Sequence, residues 1–213
     1  MSIPAAGAKP DSRKCILSAA TKLFARLGLH KCSTREIAKA SDSNISLISY
    51  YFGGKEGLYK EVMRNYALEI KENTQAIELN SSLHPMSKEV FTNEISQMVE
   101  IMIRLRLKNP EMAQIFAREK LTGMPYAKEV HDEIFYPMIQ KFFAVFKSGQ
   151  KHGVVRSDIN PAFFFVTFSE GLFGFYEILE CQTAINKDFG DLANNPVALR
   201  EQILKIYLTG VLL

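Results

Sequence analysis

The sequence predicts an all-α protein of about nine helices, with a small N-terminal three-helix unit followed by a larger helical bundle. Three observations lead to this. Apolar residues recur at intervals of three and four along most of the 213-residue chain, the period of an amphipathic helix. No segment shows the alternation of a strand or an Asn-Gly type hairpin turn. Ser87 and the pairs Asn109-Pro110, Asn160-Pro161 and Asn195-Pro196 each supply a helix N-cap, three of them with proline at the first helical position. With 47% hydrophobic residues, a chain of this length can bury a sizeable core.

The elements follow in order. Residues 1–11, with Pro4, Gly7 and Pro10, are expected to form a flexible arm. Ile16, Ala19, Ala20, Leu23, Phe24 and Leu27 then place a first helix over Ser12 to Leu27, stopped by Gly28. Ser33 and Glu36 have the spacing of a capping box, which opens a second helix running to about Ala40. Ser41-Asp42-Ser43-Asn44 is a turn by composition, and a third helix from Ile45 to Tyr51 ends before Gly53-Gly54. A long fourth helix begins at Lys55-Glu56 and continues to about Leu79, where a polar loop breaks it. Later helices start near 88, 110, 161 and 196. One more, from about Pro125 to His152, must pass Pro137, where the missing N–H predicts a kink. The expected boundaries are an arm at 1–11, a helix-turn-helix domain at 12–56 with its motif at about 33–52, and a second domain at 57–213.

Charge is unevenly spread. Residues 1–60 hold ten Lys or Arg against four acids, while the remainder is slightly acidic and the whole carries only +3. A basic end on a mildly acidic body is the footprint of a chain that meets phosphates at one end and protein or a small molecule at the other. Cys15, Cys32 and Cys181 are scattered without a metal or redox spacing. The first residues lack the apolar stretch of a secretory signal, and there is no uninterrupted apolar run of membrane-spanning length, so the expected location is the cytoplasm, without membrane contact. No His pair or Glu-x-x-His motif suggests a metal centre, and no Gly-rich loop suggests a phosphate-transfer enzyme. Neither catalytic residues nor a cofactor are expected.

Two short helices joined by a tight turn and braced by a basic first helix form the arrangement that lays a recognition helix in the major groove of DNA. Ile37 and Ala38 form the inner face of the second helix, and Ile48 and Phe52 that of the third. Asn44, Ile45, Ser46, Leu47, Ser49 and Tyr50 are then expected to face outward at least in part. Asn and Ser suit base edges or phosphates, and Tyr hydroxyls suit phosphate.

The string from Arg13 to Val62 resembles the DNA-binding domain of the TetR family. The matching blocks are Ile16-Leu17-x-Ala19-Ala20-x-x-Leu23-Phe24-Ala25-x-x-Gly28, Thr34-x-x-Ile37-Ala38, Asn44-Ile45-Ser46-x-Ile48-x-Tyr50-Tyr51-Phe52 and Lys55-Glu56-x-Leu58-Tyr59. The run Tyr51 to Tyr59 is similar to the CecR-like branch. The resemblance implies a phosphate contact at Thr34, a tyrosine pair on the recognition helix at Tyr50 and Tyr51, a backbone-clamping lysine at Lys55, and base reading at Asn44, Ser46, Leu47 and Ser49. The turn departs from the family's Ala-Gly-Val. Asp42 stands where glycine supplies a positive φ, and Asp is among the few substitutes that tolerate it. Ser43 replaces an apolar plug and is expected either to contact phosphate or to cap the helix.

The resemblance also implies dimerisation and effector binding by the C-terminal helices. The segment 161–179 is aromatic on every face, so one side is expected in its own core and another against a partner subunit. Phe165, Gly171, Leu172, Phe175, Ile203, Ile206 and Tyr207 are the candidate dimer residues. Met98, Met102, Phe116, Arg118, Met138, Phe142, Phe164 and Phe168 are candidates for an effector pocket, with Glu119 and His131 as further polar anchors; taken singly, core packing is the better account of each apolar candidate and a solvated face of each polar one. The expected function is a ligand-responsive repressor, acting as a homodimer on a palindromic double-stranded operator and sensing an unidentified, largely apolar small molecule. The alternative is a ligand-binding or adaptor protein that has lost DNA binding.

Overall fold

The computed structural model describes residues 12–75 and 86–213. Among the described residues ten α-helices succeed one another: α1 (Ser12–Lys31), α2 (Thr34–Ala40), α3 (Ser46–Phe52), α4 (Lys55–Gln75), α5 (Lys88–Lys108), α6 (Pro110–Leu121), α7 (Lys128–Val130), α8 (Tyr136–Lys151), α9 (Pro161–Glu180) and α10 (Pro196–Thr209). Among the described residues the only extended pairing is an isolated antiparallel bridge between Val155 and Leu212. The arm expected at 1–11 and the end of the fourth helix expected near Leu79 lie outside the described residues.

The helices form two compact units. One comprises the described residues up to Thr74 together with Asn109–Tyr136, and the other the described residues of Gln75–Lys108 together with Pro137–Leu213. The expected break at 56–57 therefore does not coincide with the packing. Leu58, Tyr59, Val62 and Met63 of α4, with Met112 and Ile115 of α6, share one core with α1 to α3. A long-range contact between residues near 115 and residues near 20 leaves no local trace in the chain.

In the N-terminal unit, α1 buries Ile16, Ala20, Leu23 and Phe24, the three-and-four spacing that one helix face requires. Gly28 interrupts the helix with φ 75° and ψ 166°, a conformation essentially restricted to glycine. The Arg118 guanidinium of α6 stands 3.0 Å from where a Cβ at this position would lie, and it donates to the Arg26 carbonyl at 3.3 Å. Gly28→Ala is expected to destabilise the protein by about 1–3 kcal/mol, read as a lower urea midpoint with an unchanged m-value. An unchanged midpoint would show that the break relaxes freely.

The C-terminal unit is built on α5, whose Phe91, Ile95, Val99 and Ile103 recur every four residues and meet Phe142, Val145 and Phe146 of α8, Phe164, Phe168 and Leu172 of α9, and Leu199 and Ile203 of α10. The kink expected at Pro137 takes the form of a π-helical stretch, His131–Phe135, directly before it; a wider turn accommodates the ring and the missing N–H. Asn160 Oδ1 accepts from the Ala162 and Phe163 amides, Asn195 Oδ1 from the Ala198 amide, and Ser87 Oγ from the Val90 amide. Asn109 makes no such side-chain cap. The 3₁₀ stretch Ala184–Ala193 was not legible in advance. α9 is long and apolar enough to cross a bilayer. Glu170 and Glu177 are exposed on it beside Phe163 and Val166, however, and carboxylates on the outer face of a helix indicate water or protein there rather than lipid.

Candidate nucleic-acid interface

The reading head is assembled from α2, the turn and α3. Ser33 and Glu36 form the capping box: Ser33 N donates to Glu36 Oε2 at 2.8 Å, and Glu36 N donates to Ser33 Oγ at 3.2 Å. The Ser33 amide, and after it the Ser33 hydroxyl, which also donates to Glu36 Oε2 at 2.8 Å, hold the Glu36 carboxyl below its ordinary pKa. Thr34, half-buried, occupies the first position of α2. The turn closes through Asp42 at φ 48° and the Ser43 amide, which donates to the Ala38 carbonyl at 3.0 Å. Asp42 thus takes the conformation for which glycine is the usual residue. Ser43 is half-buried and donates its hydroxyl to the Ser41 carbonyl at 3.1 Å. Its hydroxyl hydrogen is engaged inside the turn, which speaks for a local structural role over a phosphate contact.

Asn44 and Ile45, just before α3, and Ser46, Ser49 and Tyr50 on it are exposed, Tyr50 by 69%. Leu47 is a correction. It was expected at the surface as a base reader, yet it is only 6% exposed and belongs to the core with Ile48. A seven-residue helix resting on α1 and α4 needs two adjacent inward residues to hold it, and Leu47 is one of them. Tyr51 is half-buried, edge-on to Tyr50 at 5.1 Å and to Phe52 at 6.0 Å. Arg13 lies over the Phe52 ring at 5.4 Å and pairs with Glu61. Lys55 Nζ donates to the carbonyls of Cys32 at 3.0 Å and His30 at 3.5 Å. An ammonium has three donors, so Lys55 can bind the end of α1 and still offer one N–H to a phosphate.

The candidate effector residues do not form one group within either unit. Phe116 packs with Tyr66 and Phe135 in the N-terminal unit. Phe142, Phe164 and Phe168 stack in the C-terminal core, with Met98 and Met102 packed against them, and Met138 is half-buried. The polar candidates have partners of their own. Arg118 bonds the Arg26 carbonyl at the Gly28 break in α1, and Glu119 is buried with Oε2 accepting from the Tyr126 and Ala127 amides at 2.9 Å each. His131 Nδ1 lies 3.0 Å from Asp132. Burial, reinforced by the adjacent Glu119 carboxylate, pushes the Tyr59 phenol above its ordinary pKa.

Among the candidate dimer residues, Leu172 and Ile203 are buried within their own chain and are withdrawn from that surface. Gly171 admits the Tyr207 ring, whose hydroxyl donates to the Thr167 carbonyl at 3.0 Å. Phe165 packs on Phe142 and Phe143, and Phe175 on Phe189; both are half-buried. Ile206 is 60% exposed. Reading the sequence missed Phe163 and Val166, exposed by 70% and 54%. It also missed Arg106, buried over the Tyr176 ring and bonded to Glu180 at 2.6 Å. The signal for Arg106 was present, because it continues the α5 stripe of Phe91, Ile95, Val99 and Ile103, where a charge needs a buried partner.

A family profile described as "Bacterial regulatory proteins, tetR family" matches residues 16–62, and one described as "Tetracyclin repressor-like, C-terminal domain" matches residues 92–196. The chain is 23% identical over 143 residues to the probable HTH-type transcriptional regulator YttP of Bacillus subtilis, covering 67% of each chain. It is 27% identical over 136 residues to the HTH-type transcriptional dual regulator CecR of Shigella flexneri, covering 60% of each. Among the first curated relatives, the matched share of the relative's own length runs from 35% to 67%. The fold is shared with the ketosteroid transcriptional regulator KstR2 of Mycobacterium tuberculosis at a TM-score of 0.67 and 15% identity, over 98% of both chains. With profiles of one family matching both its N-terminal and C-terminal regions and the same fold throughout, the chain belongs to the TetR family of helix-turn-helix transcriptional regulators.

Proposed function

We propose that the chain is a ligand-responsive repressor that binds a palindromic operator as a homodimer. The observation that carries this reading is the outer face of α3 and of the turn leading into it, where Asn44, Ser46, Ser49 and Tyr50 stand exposed, with the helix anchored from behind by Leu47 and Ile48. Dimerisation is supported by α9, where Phe163, Val166 and Ile178 are exposed along one face with Gly174 between them, and by Ile206 of α10. Exposed large apolar side chains along one helix, with the carboxylates of Glu170 and Glu177 among them, fit a contact with protein, and a two-fold pair of reading heads matches a two-fold operator. A small apolar effector is favoured by the half-buried Met98, Met102 and Met138, since methionine repacks readily around a guest. An effector with a few kcal/mol of differential affinity between two arrangements suffices to release DNA. The adaptor alternative drew on the altered turn, but Asp42 and Ser43 close that turn, so it gains no support there.

The test is fluorescence anisotropy of the full chain on duplex DNA from upstream of its own coding region, with stoichiometry from sedimentation. Two chains per operator and a steep fall in affinity with salt are expected. Tyr50→Ala with Lys55→Ala is expected to weaken binding by about 100-fold, that is about 2.7 kcal/mol. Tyr50→Ala alone, at a solvent-exposed position, serves as the variant that leaves folding intact. Absent or salt-independent binding by the wild-type chain would rule the proposal out.

A further inference from the structure

The carboxamide of Asn44 has its orientation set by its neighbour. Oδ1 accepts from the Ser46 amide at 2.9 Å and from the Ser46 hydroxyl at 2.8 Å. A backbone N–H can donate only to the oxygen of the amide, so Nδ2 with its two hydrogens points away from the turn. The Ser46 hydroxyl hydrogen is likewise engaged on Oδ1, which leaves the Oγ lone pairs facing outward. Both residues are exposed. On the DNA-reading surface they therefore display one donor and one acceptor side by side, and the carbonyl oxygen with which an asparagine ordinarily completes a bidentate contact is already occupied.

In the major groove adenine offers an acceptor, N7, beside a donor, N6. Guanine offers two acceptors, cytosine a donor, and thymine an acceptor with a methyl group. Only adenine complements a donor beside an acceptor. We propose that Asn44 and Ser46 read a single adenine in each half-site as a pair, with Asn44 Nδ2 donating to N7 and Ser46 Oγ accepting from N6. Guanine at that position sets O6 against the Ser46 lone pairs. The contact is made by the side-chain atoms of Asn44, just before the recognition helix, and of Ser46 on it, and the helix's backbone amides take no part. The inference rests on the DNA-reading function proposed above.

Two substitutions separate the pair without unseating α3. Asn44→Asp keeps an oxygen for the Ser46 amide and removes the outward donor. Ser46→Ala keeps the amide bond to Asn44 and removes the outward acceptor. Full-length wild-type chain is used to select from a randomised duplex pool, and the preferred site is then remade with each base, and with 7-deazaadenine, at every position. The wild-type chain is expected to prefer adenine over guanine by about tenfold at one position per half-site and to lose that preference with 7-deazaadenine. Ser46→Ala is expected to bring adenine and guanine to within about twofold there while purines stay favoured, because N7 remains an acceptor in both. Asn44→Asp is expected to abolish the sensitivity to 7-deazaadenine. The inference is overturned if both variants keep the wild-type base preferences at every position, or if each weakens all sequences equally, as a phosphate contact does. A wild-type chain that selects no sequence overturns the DNA-reading function itself, and the inference with it.

Discussion

Glu119→Ala is expected to lower the stability of the chain by about 3 kcal/mol or more, at about 1–3 kcal/mol for each buried polar group left without a partner. The buried carboxylate takes the amides of Tyr126 and Ala127 on a single oxygen and hydrogen-bonds the Tyr59 hydroxyl as well. It thereby joins the end of α6 and the residues before α7 to α4. Alanine leaves two amides and a phenol facing apolar neighbours. Glu119→Gln is expected to be far milder, about 1 kcal/mol, because its carbonyl keeps both amides and the Tyr59 hydroxyl can turn to accept from the new NH₂. Urea denaturation of the three chains decides the matter. A Gln variant as damaged as the Ala variant would show that charge, and not the count of acceptors, holds this joint.

Phe164→Ala is expected to destabilise the protein by about 3–5 kcal/mol. Phe164 is among the candidate effector-pocket residues, and its surroundings decide between two readings. Its ring lies 4.9 Å from Phe146, 6.0 Å from Phe142, 6.1 Å from Tyr207 and 6.3 Å from Phe168, and it is buried. Truncation inside such a cluster loses both the transfer term and the contacts of the surrounding rings, since the four neighbours sit on three different helices and cannot all collapse inward. A ring that lined an open pocket would already lack partners on one side, and its loss would be about 1–2 kcal/mol. Thermal unfolding at matched concentration distinguishes the two. A small shift would return Phe164 to the pocket.

The reach of sequence reasoning differs sharply between the two units. Around the reading head it placed the capping box of Ser33 and Glu36, the stop at Gly28 and the positive φ at Asp42, because each depends on bonds spanning five residues or fewer. It misplaced Leu47, because three-residue periodicity over a seven-residue helix leaves two registers nearly equal, and only the position of α1 and α4 behind α3 decides between them. Arg118 and Glu119 read as polar anchors for a ligand; they instead bond the carbonyl before the Gly28 break in α1 and form the joint at α4, interactions whose partners lie 92 and about 60 positions away. The aromatic helix α9 was correctly taken to be buried on one side. Which of its phenylalanines faced inward depended on α5, α8 and α10, so Leu172 was assigned to a partner surface and Phe163 was overlooked.

The sequence by itself determined the helical class, most helix starts and the family to which the reading head belongs, since periodicity, caps and turn residues act through neighbours along the chain. Only the tertiary structure decided which face of each helix is inner, where the two units divide, and which polar side chains remain available to a partner. Those outcomes follow from burial and from hydrogen bonds between segments far apart in sequence, and a buried carboxylate or a spare amide hydrogen is defined by what stands opposite it.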